Sequence, residues 1–132
     1  MREDNFSEDK KAISEWLKLY DNIRSGKSAI FLEEEAFIQI IEYYDDTDSV
    51  KKATEAVNIA LEYYPNSSPL LIKKADYLIV EKKFEEALDL LDQASIFDAQ
   101  DINIFILRTD AYLALSQPDM AALVFEEALG IF

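Results

Sequence analysis

The chain contains neither cysteine nor histidine. That double absence removes disulfides, thiolate nucleophiles, the common zinc and haem ligand sets and every acid–base mechanism built on imidazole. Carboxylate, hydroxyl and lysine are what remains for chemistry. Turn formers are scarce as well, with two glycines and three prolines, and an all-β protein needs many more. Few turns combined with abundant Leu, Ala, Glu and Lys predict helices. No stretch approaches the ~18 uninterrupted apolar residues of a membrane span. The opening Met1-Arg2-Glu3-Asp4-Asn5 leads into further charge, not into the apolar stretch of a signal peptide. Lack of cysteine fits a reducing compartment, and a soluble, cytoplasmic protein is expected.

Positive charge is also short: 13 Lys and Arg against 27 Asp and Glu leave a formal charge of -14. Nucleic acid and anionic membrane surfaces would be repelled by such a chain, whereas a basic or basic-apolar partner would be attracted. The 132 residues amount to one domain's length. Half of them are apolar and the charges are interspersed, which favours a folded chain over a disordered one.

What is present is a period. Ala53, Ala87 and Ala121 lie 34 residues apart, and so do Ala60, Ala94 and Ala128. Val57, Leu91 and Phe125 keep the same step, as do Leu61, Ser95 and Leu129 with one polar exception. These positions are three, four or seven apart within a unit, which places them on one stripe of a helix. A second set sits upstream: Phe37, Leu71 and Phe105, then Tyr44, Leu78 and Tyr112. Each unit therefore reads as two helices joined by a short polar link.

The pattern predicts helices over 8–24, 33–45, 49–63, 69–81, 84–97, 102–115 and 118–130. Ser68 reads as an N-cap with Pro69 at the first helical position. Ser116 and Pro118 read as a similar opening for the last helix, and Pro65 closes the first unit. Glu33-Glu34-Glu35 suits a helix N-terminus through the dipole. Gly26-Lys27-Ser28 matches the end of a phosphate-binding loop, but Asp21 stands where its first glycine should be, so a helix-ending glycine is the better account. Asp46-Thr47-Asp48 begins like a calcium loop but lacks its glycine and closing glutamate, so these residues read as caps.

Phe37-x6-Tyr44 with Ala53-x3-Val57-x2-Ala60 and Pro65, and Phe84-Glu85-Glu86-Ala87-Leu88-x2-Leu91-x2-Ala94 in the next unit, resemble the tetratricopeptide repeat (TPR) family. Residues 34–67, 68–101 and 102–132 match as two full repeats and one nearly full. Residues 1–32 form a leader helix and linker, with Ile13, Trp16, Leu17, Tyr20 and Ile23 at helical spacing as a cap for the first hairpin. Departures from the family are Ile41, Ala75 and Thr109 where a small glycine is usual, Lys74 and Arg108 where leucine is usual, and Ala99 in place of the second proline. The leader and the entry Lys27-Ser28-Ala29-Ile30-Phe31-Leu32 resemble the start of long TPR proteins of Bacteroidetes-like bacteria.

The resemblance implies an all-α, right-handed α-α superhelix of about three hairpins that binds another protein and needs no cofactor. It also implies a concave face lined by the first helix of each hairpin. Carried onto this chain, that face holds Ile38, Ile72 and Ile106 beside Glu42, Asp76 and Asp110, an apolar floor with an acidic line suited to a basic-apolar segment. TPR domains that grip a C-terminal carboxylate use Lys, Asn and Arg there, so a carboxylate-clamp role is not expected. The alternative is structural: the last helix displays Leu123, Phe125, Ile131 and Phe132, and self-association through this end, or continuation of the array beyond it, would cover them. No enzymatic activity is expected, since no carboxylate pair is marked by a special neighbour.

Overall fold

The computed structural model describes the backbone of residues 2–27 and 31–132 and the side chains of residues 11–27 and 31–132. Ser28, Ala29 and Ile30, part of the TPR-like entry and of the Gly26-Lys27-Ser28 match, lie outside the described residues. Among the described residues every regular element is a helix. They are α1 (Arg2–Arg24), α2 (Glu34–Asp46), α3 (Val50–Tyr63), α4 (Ser68–Val80), α5 (Phe84–Phe97), α6 (Ile102–Ala114) and α7 (Pro118–Ile131). The chain is all-α, as its turn-poor composition predicts.

The 34-residue step governs the helix ends. α2, α4 and α6 begin at residues 34, 68 and 102 and are each 13 residues long. α3, α5 and α7 begin at residues 50, 84 and 118 and are each 14 long. The link inside each pair repeats too. Asp48, Lys82 and Ser116 all adopt the left-handed conformation, with φ of 58°, 65° and 59°. In each link the N–H one residue later donates back across the turn, from Ser49 to the Tyr44 carbonyl, Lys83 to Leu78 and Gln117 to Tyr112, all at 2.8 Å. This 6→1 bond is the Schellman closure of a helix C-terminus, and the next helix starts one residue after its donor. α1 ends the same way at Gly26, φ 73°, with Lys27 N–H donating to the Asn22 carbonyl at 2.9 Å. The glycine thus closes a helix, as the sequence suggested.

Two caps differ from expectation. Ser67, not Ser68, opens α4, its Oγ accepting from the Leu70 N–H at 3.4 Å. Ser68 is already inside the helix with Pro69 following it. At α7 the N-cap is Gln117, without a side-chain bond, because Ser116 is consumed as the left-handed residue that ends α6. Asp101 caps α6 by accepting from the Asn103 N–H at 2.9 Å.

The chain divides into two compact units, Met1–Ala60 and Leu61–Phe132, with the boundary inside α3. In the first, α1 packs on α2. Tyr20 is buried with its ring edge-on to Phe37, centroids 6.4 Å apart. Phe37, Ile40 and Ile41 of α2 and Ala53, Ala56, Val57 and Ala60 of α3 are buried as well. In the second unit α4 packs on α5 and α6, α5 on α6, and α6 on α7. Its core joins Leu71, Ile72 and Ala75 of α4 to Ala87, Leu91 and Ala94 of α5 and Ile104 of α6, with Leu107 packed alongside. Small residues at 53, 87 and 121 are all buried at the fourth position of their helices. There a larger side chain would force the helices apart, at a cost of about 1–3 kcal/mol.

Candidate functional site

Each first helix buries one stripe and shows another. Ala36, Leu70 and Ile104, with Phe37, Leu71 and Phe105, face inward in all three copies. The acidic row is on the other side. Glu42 and Asp110 are exposed and Asp76 is half-buried. The isoleucine row is uneven: Ile38 is half-buried, Ile106 is 50% exposed, and Ile72 is 8% exposed and belongs to the core of the second unit. Ile72 therefore supports a floor from beneath more than it offers surface. Within the second unit α4 and α6 pack together, so Asp76 and Asp110 sit on neighbouring helices.

Two departures from the repeat pattern prove to be one interaction. Arg108, standing where leucine is usual, sends Nη2 to Asp92 Oδ1 at 2.9 Å and to Ser95 Oγ at 3.3 Å. Ser95 is the polar exception in the Leu61, Ser95, Leu129 set. Its hydroxyl donates to the Asp92 carbonyl at 2.7 Å, leaving its oxygen to accept from the arginine. A cation on the first helix of one repeat is thus matched by a polar residue on the second helix of the repeat before it.

α6 and α7 enclose an open apolar groove of about 330 Å³, lined by Phe105, Ile106, Phe125, Ala128, Leu129 and Phe132, with Ile102, Thr109 and Asp110 at its margin. The Phe132 ring closes one end, edge-on to Phe105 with centroids 5.7 Å apart. Residues assigned to two different surfaces by sequence are brought together here: Ile106 and Asp110 of the concave row, and Phe125 and Phe132 of the assembly surface. Leu123 and Ile131, also expected at the assembly surface, are exposed outside this groove. Phe125, read as part of the buried stripe with Val57 and Leu91, is 58% exposed, whereas both counterparts are fully buried.

No protein-family model matches the chain, and no curated protein does.

The first unit holds a cleft that the periodicity did not signal. Ile13, Leu17, Lys18 and Asp21 of α1 face Tyr43, Tyr44, Thr47 and Lys52 across about 840 Å³. A smaller recess of about 170 Å³ lies among Tyr20, Asp21, Arg24, Tyr44, Lys52 and Glu55. Its cations are engaged: Arg24 meets Asp21 at 2.8 Å and Glu55 at 3.7 Å, and Lys52 Nζ sits 5.9 Å from the centre of the Tyr44 ring. The hydrogen bond from Arg24 to Asp21, and then the charges of Asp21 and Glu55, hold the guanidinium pKa above its ordinary value. Burial, followed by the charge of Glu55, pushes the Tyr20 phenol well up, and burial also raises that of Tyr44. Both tyrosines therefore stay protonated at neutral pH and act as aromatic walls, not as phenolate bases. The signal for this cleft lay in the adjacent Tyr43 and Tyr44, but only the fold shows that α1 faces them.

Among the described residues no group of three or more carboxylates converges to hold a metal ion. Among the described residues no helix is long and apolar enough to cross a membrane.

Proposed function

We propose that the chain is a protein-interaction scaffold of the tetratricopeptide kind, including the right-handed α-α superhelix of that family, and that its first helices receive a basic-apolar segment. The observation that carries this reading is the 34-residue recurrence of helix starts, helix lengths and left-handed link residues. A hairpin repeated in register repeats its outward side chains as well, and repeated surfaces suit extended ligands. On α4 and α6 those side chains are Asp76 and Asp110, beside Ile106 with Ile72 beneath. α2 presents Ile38 and Glu42 at the same register. The resemblance noted in the sequence would put such a scaffold in a bacterial cytoplasm.

A displayed library of peptides that mix Lys and Arg with aliphatic residues tests the proposal. The wild-type chain should enrich cationic, aliphatic-rich sequences, with retention falling as salt rises from low to physiological strength. The triple reversal Glu42→Lys, Asp76→Lys and Asp110→Lys alters exposed or half-buried side chains and should leave the helical signal intact. It should cost at least about tenfold in affinity, equivalent to ~1.4 kcal/mol. Undiminished retention by the reversed chain would remove this face from the account.

A further inference from the structure

The cleft of the first unit differs in charge from the chain around it. Ile13, Leu17 and Asp21 recur every four residues with Lys18 beside them, which places them on one face of α1. Tyr20, on the same helix, is buried against Phe37 and Tyr44, whereas Leu17 and Ile13, one and two turns earlier, are only half-buried. α1 is thus held towards its C-terminal end, and the cleft lies alongside the turns before that point. Opposite this apolar wall stand Tyr43 and Tyr44, their ring centroids 5.6 Å apart and the rings inclined at 60°. Tyr43 is 39% exposed, which leaves ring surface for a further aromatic group.

Two of the three charged residues lining the cleft are lysines, Lys18 of α1 and Lys52 of the first turn of α3. The third, Asp21, is held by Arg24 at 2.8 Å. Neither lysine pairs with a carboxylate among the described residues, and Lys52 only lies over the Tyr44 ring. Asp46 and Asp48 of the adjoining link are exposed and do not line the cleft. In a chain whose acids outnumber its cations 27 to 13, two ammonium groups without a carboxylate at one walled cleft suit an anionic ligand.

We propose that this cleft binds a small organic monoanion, an aromatic carboxylate whose flat body lies between the α1 wall and the tyrosines while Lys18 and Lys52 attract its charge. The volume of about 840 Å³ falls in the range of small-molecule sites, about 300–1,000 Å³. A single charge is tolerated where a polyanion is not. At physiological salt, exposed charges more than ~8 Å away are largely screened, while the lysines act at contact. An acidic peptide would bring several carboxylates into the field of a chain of charge -14 and is disfavoured. The cleft shares no residue with the acidic row proposed above and takes the opposite charge, so the two proposals fail separately.

The probes are 2-naphthoate and its neutral counterpart 2-naphthalenemethanol, titrated into the whole chain and followed by amide chemical shifts. Naphthoate should bind saturably, shifting amides within residues 13–21 and 43–52, and at least about fivefold more tightly than the alcohol. Lys18→Gln combined with Lys52→Gln should abolish that preference and leave the alcohol's affinity unchanged, a cycle that separates charge from packing. Tyr43→Ala should weaken both probes by about threefold or more. All three side chains are exposed, so the variants should keep the wild-type circular dichroism. Leu129→Asp, in the α6–α7 groove, should leave naphthoate binding unchanged. Equal affinity for the two probes, a preference that survives the double lysine variant, or shifts centred on α6 and α7 overturns the inference. An acidic, aromatic-containing peptide that shifts the cleft amides when naphthoate does not assigns the cleft to a protein partner and overturns the stated ligand.

Discussion

Ser67 and Ser68 are adjacent and chemically identical, yet they contribute with opposite sign. Ser67 Oγ accepts from the Leu70 N–H and satisfies one of the free donors at the start of α4. Ser68 Oγ is buried with no hydrogen-bond partner. Leaving a hydroxyl unpaired in the interior costs about 1–3 kcal/mol, whereas losing an N-cap costs about 1 kcal/mol. Ser67→Ala should therefore lower stability by about 1 kcal/mol in urea unfolding. Ser68→Ala should leave it unchanged or raise it by up to about 1 kcal/mol. Reading the cap from sequence chose the wrong serine, because either one precedes the apolar run and Pro69 is tolerated at the first or the second helical position. The Arg108, Asp92 and Ser95 contact shows a second limit of the same kind. Each departure from the pattern was visible alone, but that they answer each other depends on α5 and α6 being neighbours in space.

At the scale of the element, the links decide where helices stop. Three non-glycine residues accept positive φ because the Schellman bonds around them are complete, which offsets the strain of the left-handed conformation. That strain depends on the side chain. Aspartate adopts it more readily than lysine, so Lys82→Gly should stabilise by roughly 0.5–1 kcal/mol, net of the added freedom of the unfolded chain. Asp48→Gly should change stability by less than about 0.5 kcal/mol. Thermal unfolding of the two variants side by side checks the ranking. Helix positions were legible to within a residue or two for α2 to α7, because apolar spacing of three and four, small residues at 53, 87 and 121 and nearby prolines all agree. Left-handed residues were not legible, since glycine is their usual mark and none of these links contains one. α1 runs back to Arg2, whereas its apolar stripe only becomes regular near Ile13; before that, helix propensity without periodicity gives little to read.

At the scale of the molecule, one pattern of side chains meets different surroundings along the array. Ile72 and Ile106 occupy the same register, and no property of either residue reveals that the first is core and the second half open. Ile72 is packed against Ile104 of α6, a contact that depends on the fold, so the acidic row could be read from sequence while the exposure of its floor could not. The cleft of the first unit was hidden for the same reason, since it depends on how α1 lies on α2. The net charge of -14 acts on the whole chain, favouring cationic partners at the acidic row and opposing close approach of copies.

The functional reading depends on hairpins that are interchangeable, and duplicating one tests this most directly. A second copy of residues 68–101 inserted after Asp101 keeps the 34-residue step, with Asp101 opening the new copy as it now opens α6. Repeat arrays gain stability with each correctly nested unit. The lengthened chain should unfold in one transition at a higher midpoint than the parent, with undiminished helical ellipticity per residue. An insertion of residues 72–101 alone, out of step, should lower both. If the in-step duplication unfolds earlier than the parent, or behaves like the out-of-step one, the equivalence of the hairpins is wrong.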